Sequence, residues 1–138
     1  MEIEFPIELI VAGTPVSQQA KLKVNIDEWK GRVRDACAPT LPAPHFATLA
    51  AVGVVLYYLP ADEMKGDLDN IIKPVLDALK QFVFVDDQQV ERLLVQKFEP
   101  DRTPGLAESV SSTLQLAWKT ERPLLYVRVT DRMDEEPK

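Results

Sequence analysis

The chain holds one cysteine and one histidine among its 138 residues. A single thiol, Cys37, excludes an internal disulfide and fits a reducing, cytoplasmic compartment. One thiol and one imidazole are also too few for a Cys/His metal set. Glycine is scarce, at five residues, and none of it builds a phosphate-cradling loop. No basic-plus-apolar segment marks a secretion signal near the start, where Glu2 and Glu4 argue against one. The longest apolar run, residues 46–59, is too short for a membrane helix. No repeat or low-complexity tract is visible. The length predicts one domain, large enough to bury a core unaided. Residues 1–130 are expected to form it, with a charged and disordered tail at 131–138.

Acid is what the chain has in excess, at a net charge of −6. The excess is local. Residues 62–91 carry eight acids against three bases, which leaves −1 for everything else. Residues 21–34 are basic, with Lys21, Lys23, Lys30, Arg32 and Arg34 against Asp27 and Glu28. A nucleic-acid-binding domain is normally basic overall. Any phosphate contact here must rest on that local strip, which is otherwise a solvated helix face.

The acidic segment has a defined pattern. Gly66-Asp67-Leu68-Asp69-Asn70-Ile71-Ile72-Lys73-Pro74-Val75-Leu76-Asp77-Ala78-Leu79 is followed by Val85-Asp86-Asp87-Gln88-Gln89-Val90. Adjacent carboxylates resist ionising together, so such a cluster is costly unless a cation sits in it. Hard divalent cations such as Mg²⁺ take oxygen ligands, one or two carboxylates with water and substrate phosphate. The segment therefore points to metal-dependent phosphate chemistry.

Periodicity places these groups. Leu68, Ile71, Ile72, Val75, Leu76 and Leu79 share one buried helix face. Asp69, Lys73 and Asp77 recur every four residues on a neighbouring face. Asp69 and Asn70 are candidate N-caps, and Pro74 predicts an irregular first turn. A helix over residues 70–81 would be roughly 18 Å long at about 1.5 Å per residue. An extended return over residues 82–87 spans roughly 20 Å. The chain can thus bring Asp87 back beside Asp67 and Asp69, at a helix N-terminus that favours anions.

These residues carry a resemblance. The run resembles the RusA-like Holliday junction resolvases (crossover junction endodeoxyribonucleases), small bacterial and phage endonucleases. Their mark is Asp-x-Asp-Asn-x-x-Lys, then Asp-Ala-Leu, then Asp-Asp-x-Gln-Val/Ile. Here these read Asp67 to Lys73, Asp77-Ala78-Leu79 and Asp86 to Val90. Weaker likeness extends to Gly13-Thr14-Pro15-Val16-Ser17-Gln18-Gln19, similar to a loop after the family's first strand. The resemblance implies catalytic and metal-binding roles for Asp67, Asp69 and Asp87, and a catalytic role for Lys73. It also implies a homodimer acting on four-way DNA junctions in recombination and repair, with Mg²⁺ (or Mn²⁺) as cofactor. Asp77 and Asp86 match the pattern without a defined role.

Taken singly, each residue has a plainer reading. Asp69 could be a helix cap, Lys73 an i,i+4 ion-pair partner, and Asp86-Asp87 a turn. The constellation overturns these, because independent bland explanations would have to coincide. Phosphodiester hydrolysis is the reaction expected, with Lys73 orienting a carboxylate or stabilising developing charge. The alternatives are a nuclease for other branched DNA, or a non-catalytic DNA-binding or phage-associated interaction module that kept the fold. His45, in a proline loop, reads as no ligand, and Trp29 and Trp118 read as core or interface.

The expected fold is α+β: a small mixed sheet with packed helices, in the order β-α-β-α-β-(α)-β. Strands are expected at residues 3–11, 46–59, 90–98 and 124–130. Helices are expected at 26–37, capped by Asn25, at 70–81 and at 106–119. The run at 46–59 reads as a central strand covered on both faces.

Overall fold

The computed structural model describes residues 1–134. Strand β1 is Ile7–Ala12, helix α1 Lys23–Cys37 and strand β2 Val52–Leu59. Helix α2 is Ile72–Leu79, β3 Val90–Lys97, α3 Ser112–Lys119 and β4 Leu124–Thr130. The element order is the expected one, and the class is α+β. The sheet runs β1-β4-β2-β3. β4 is antiparallel to both neighbours, whereas β2 and β3 are parallel and joined across α2.

All eight residues of β2 are buried, because helices cover both faces of the sheet. On one face α1 and α2 seal Leu9, Val11, Val54, Leu56 and Val127 under Trp29, Val33, Val75 and Leu79. On the other, α3 lays Leu114 and Ala117 over Val55, Tyr57, Leu59 and Tyr126. Tyr57 stacks on Tyr126 at 5.7 Å and meets Phe98 edge-on at 5.2 Å. Each such large apolar side chain contributes about 1.5–3 kcal/mol through burial. Both tryptophans are in this packing, Trp29 buried in α1 and Trp118 against Phe98 at 4.9 Å.

A polar contact ties α3 to the sheet. Tyr126 donates its hydroxyl to Glu8 Oε2 at 2.5 Å, and Ser111 donates to the same oxygen. Ser111 is also the N-cap of α3, accepting the Leu114 amide at 3.1 Å. Burial, then the Glu8 carboxylate, pushes the Tyr126 phenol well above its ordinary value.

Apart from α2, which runs from Ile72 to Leu79 rather than over 70–81, four elements begin elsewhere than expected. β1 begins at Ile7, after Pro6, which cannot donate to a ladder; Ile3 and Phe5 pack at the margin of the core instead. α1 begins at Lys23 with Leu22 as N-cap, so Asn25 lies inside the helix. β2 begins at Val52, and the preceding apolar residues form a loop on which Phe46 and Leu49 stand exposed. α3 begins only at Ser112, where the Ser111 cap nucleates it. Of the tail expected at 131–138, Met133 offers its carbonyl to Arg92 at 3.0 Å; residues 135–138 lie outside the described residues.

Candidate active site

The acidic motif folds in two steps. Leu68–Ile71 form a 3-10 turn, and the regular helix α2 starts at Ile72. Pro74 is buried in the first turn of α2, where a missing N–H costs nothing. Gly66 has φ +86°, with open space around a would-be Cβ, so backbone conformation alone calls for glycine there. It turns the chain into Asp67. The N-caps are Asp67 for the turn and Ile71 for α2, and neither makes a side-chain cap bond. This corrects the caps expected at Asp69 and Asn70. The Asp67 carboxylate is thus left unused by capping. The Gly13-to-Gln19 loop meets this turn, with the Gln18 amide donating to the Asn70 carbonyl at 2.8 Å.

α2 buries the expected face: Ile71, Val75, Leu76 and Leu79 are sealed, while Leu68 and Ile72 are partly covered. The chain then reverses at Gln81, whose φ of 64° is left-handed. It returns through buried Phe84 to a second 3-10 turn, Asp87–Gln89. This return is a tight turn rather than the extended run expected. It brings Asp87 to the first turn of α2. Lys73 Nζ lies 3.0 Å from Asp87 Oδ2 and 2.8 Å from Asp77 Oδ1. The hydrogen bond to Asp77, then that to Asp87, raises the lysine well above its ordinary value. Asp69 is not its partner: a 3-10 turn has three residues per turn, and the i,i+4 register is lost.

Asp87 Oδ1 has no solvent access and no hydrogen-bond partner. A buried acceptor left unpaired costs about 1–3 kcal/mol. A cation at that lone pair would satisfy it. Asp67 and Asp69 are exposed on the 3-10 turn. Among the described residues, no three His, Cys, Asp or Glu side chains are gathered closely enough to cage a metal ion. Mg²⁺ does not require such a cage, since one or two carboxylates, water and phosphate suffice. The all-oxygen donor set and the orphaned Asp87 oxygen fit that ion.

Two residues without an assigned role shape the site. Gln89 accepts the Val85 and Asp86 amides on Oε1 at 2.8 and 2.9 Å. Its Nε2 donates to the Thr48 and Ala50 carbonyls at 2.8 Å each. With Asp86 it forms a capping box, and Asp-x-x-Gln was the signal for one. Glu99, only 3 % exposed, accepts the Met64 amide at 2.8 Å and pairs with Lys97 and Arg102. The Met64 amide and then Arg102 hold its carboxyl below the usual range. Glu99 so anchors the loop that leads into Asp67, and no sequence pattern announced it.

The basic strip divides. Arg34 donates to the Ala78 carbonyl at 3.0 Å and the Asp77 carbonyl at 3.5 Å, closing the end of α2. Arg32 donates to the Ala12 carbonyl at 3.0 Å. Lys21 and Lys23 are exposed at the start of α1, with Lys30 half-buried further along. His45 reaches the Pro42 and Phe82 carbonyls and fixes its loop.

Fold and site together define a small α+β domain with a lysine–carboxylate centre suited to phosphate chemistry. The sequence profile of the family described as Endodeoxyribonuclease RusA matches residues 13–108. The chain belongs to the RusA endodeoxyribonuclease family, a family of nucleases acting on branched DNA. Among curated proteins no match was found. No helix among the described residues is long and apolar enough to cross a membrane.

Proposed function

We propose that this protein is a divalent-metal-dependent endonuclease that resolves four-way DNA junctions by paired nicks, in recombination and repair. The observation that carries the reading is the meeting of Lys73, which follows the Leu68–Ile71 turn in sequence, with Asp87, in a chain of the RusA family. Asp67, Asp69 and Asp87 would hold Mg²⁺, or Mn²⁺ in its place. When bound, the ion supplies an activated water and charge stabilisation at the scissile phosphate. Lys73 holds Asp87 in place through Oδ2, leaving Oδ1 facing inward. Its fixed positive charge then favours the more negative transition state over the bound substrate.

Paired nicks need two sites related by a two-fold axis, so the working unit proposed is a C2 homodimer. Such a dimer carries about −12, twice the −6 of one chain. Phosphate contact must then come from local base, with Lys21, Lys23 and Lys30 as candidates and Arg32 and Arg34 adding charge from structural positions. The deciding experiment is cleavage of a synthetic four-way junction with Mg²⁺ and with excess EDTA. Metal-dependent symmetric nicks support the reading; no cleavage of any branched DNA would end it. Sedimentation showing only monomer at micromolar concentration, with junction present, would remove the dimer.

A further inference from the structure

Strand β3 ends the sheet, and no strand lies beside its outer edge among the described residues. It is the less covered of the two edges. None of its eight residues is buried, whereas three of the six in β1, at the opposite edge, are. The Phe98 amide donates back to the Tyr58 carbonyl at 2.8 Å. Peptide groups alternate in direction along a strand. Arg92, Leu94 and Gln96 therefore turn theirs to β2, while Leu93, Val95 and Lys97 turn theirs outward. The Leu93 side chain is also 40 % exposed. A long edge with free amides and carbonyls beside apolar side chains is a template for one more strand.

We propose that the β3 edge seats a second copy of this chain, the two β3 strands pairing antiparallel about Leu94, so that one continuous sheet carries both candidate active sites. The proposal rests on the reading of the working unit as a C2 homodimer. Self-complementarity selects the occupant. A two-fold axis at Leu94 sets each Glu91 opposite the partner's Lys97, and each Leu93 opposite the partner's Val95. The first is an opposite-charge pair made twice. It adds to the contact that Lys97 already has with Glu99 at 3.4 Å. The second gathers four apolar side chains on the face that Val95 shares with the core. Leu93 and Val95 are also residues whose peptide groups face outward, as a hydrogen-bonded antiparallel pair requires. Moving the axis to Leu93 or Val95 sets Glu91 against the partner's Val95 or the partner's Glu99, and the charge pair is lost.

This pairing decides how the sites stand. A two-fold axis normal to the sheet keeps α1 and α2 of both copies on one face. The turn Asp87–Gln89 leads directly into β3. The two Val90 residues would stand roughly 26 Å apart, eight residues at about 3.3 Å each. The two Lys73–Asp87 pairs then lie at opposite ends of a shared edge, on the same side of the sheet. Paired nicks in one DNA need that arrangement.

Cys37 is buried, so a single introduced thiol reports the contact. Leu94→Cys should link into a disulfide dimer under mild oxidation, because it alone meets itself, at a Cα separation of about 4.5 Å. Leu93→Cys and Val95→Cys should each stay unlinked alone and link when the two variants are mixed. Glu91→Lys should raise the dimer dissociation constant about ten-fold in sedimentation, since two like-charge pairs replace two opposite ones. The linked Leu94→Cys dimer should nick a four-way junction as wild type does. Equal linking of all three single variants overturns the paired edge. So does a sedimenting dimer that links neither in Leu94→Cys nor in the mixture; both results leave the nuclease reading standing. A linked dimer that no longer cuts, where the unlinked variant does, also overturns it. Wild type that stays monomeric with junction present removes the dimer reading itself, and the paired edge with it.

Discussion

Lys73 and Asp87 stand 14 residues apart in the chain, on different elements, and meet at 3.0 Å. The same ammonium reaches Asp77 at 2.8 Å, one helical turn along α2. One cation thus joins the helix to the returning loop, and fixes one oxygen of a carboxylate whose other oxygen is buried and unpaired.

Lys73→Ala should lower single-turnover cleavage at least a hundred-fold while junction binding holds. Its side chain is half exposed, so the stability cost should stay under ~1 kcal/mol. Because the folded lysine titrates above its ordinary value, its contribution is complete below about pH 10.4 and is lost as pH rises further. The melting difference between wild type and variant should therefore be flat from pH 6 to about 10 and shrink only above that. A large melting loss with an unchanged rate would make Lys73 a structural residue only.

Asp67→Asn, Asp69→Asn and Asp87→Asn should each abolish cleavage in a folded protein that still binds junctions. Asp67 and Asp69 make no cap bond, so their variants should melt as wild type does, or slightly higher as like charges are removed. Full activity in any one of the three removes that residue from the site.

Cleavage should require Mg²⁺ or Mn²⁺ and fail with Ca²⁺, whose looser coordination suits binding more than hydrolysis. Titration of metal against melting temperature should show stabilisation in wild type and a smaller effect in Asp87→Asn, where the buried acceptor is changed. Equal shifts in both would place the ion elsewhere.

Arg34→Ala should behave as a folding variant, because the guanidinium closes the carbonyl end of α2. A loss of about 1–2 kcal/mol, on the scale of a helix-end hydrogen-bonded cap, is expected in denaturant melts. Changing Lys21, Lys23 and Lys30 together to Ala should instead leave melting unchanged, weaken DNA binding and flatten its salt dependence. Unaltered affinity in the triple variant would move the DNA face away from α1.

Glu99→Gln should loosen the loop before Asp67, because the carboxylate receives Met64 and Arg102 together. The folded carboxyl titrates below its usual range, so its contribution is present above about pH 4.3 and is lost as pH falls through the folded value. Wild type should melt higher than the variant at pH 7, and the gap should close toward pH 3. A gap independent of pH would assign the effect to packing.

Much of this arrangement was legible beforehand. The 3.6-residue spacing of apolar side chains marked the buried face of α2, and the unbroken apolar run marked β2 as central. Chain length allowed Asp87 to return along the helix, but the chain turns tightly at Gln81 and delivers Asp87 to Lys73. Local propensity failed where tertiary contacts decide. The 3-10 turn at Leu68–Ile71 took Asp69 off the face that Lys73 shares with Asp77. Phe46 and Leu49 read as strand because hydrophobicity cannot distinguish a buried run from an exposed tip. Glu99 was invisible because Met64, whose amide it receives, becomes its neighbour only after β3 is laid against β2.

The sheet order has a consequence for how the molecule is made. β4, the last strand, lies between β1 and β2, which do not touch each other. Until residues 124–130 leave the ribosome, β1 has no partner and only the β2–β3 pair can form. Closure of long-range pairings is slow and depends on the whole chain being present. A sheet closed this way is completed by its most distant segment, so the two halves it joins stay apart until residues 124–130 have been made.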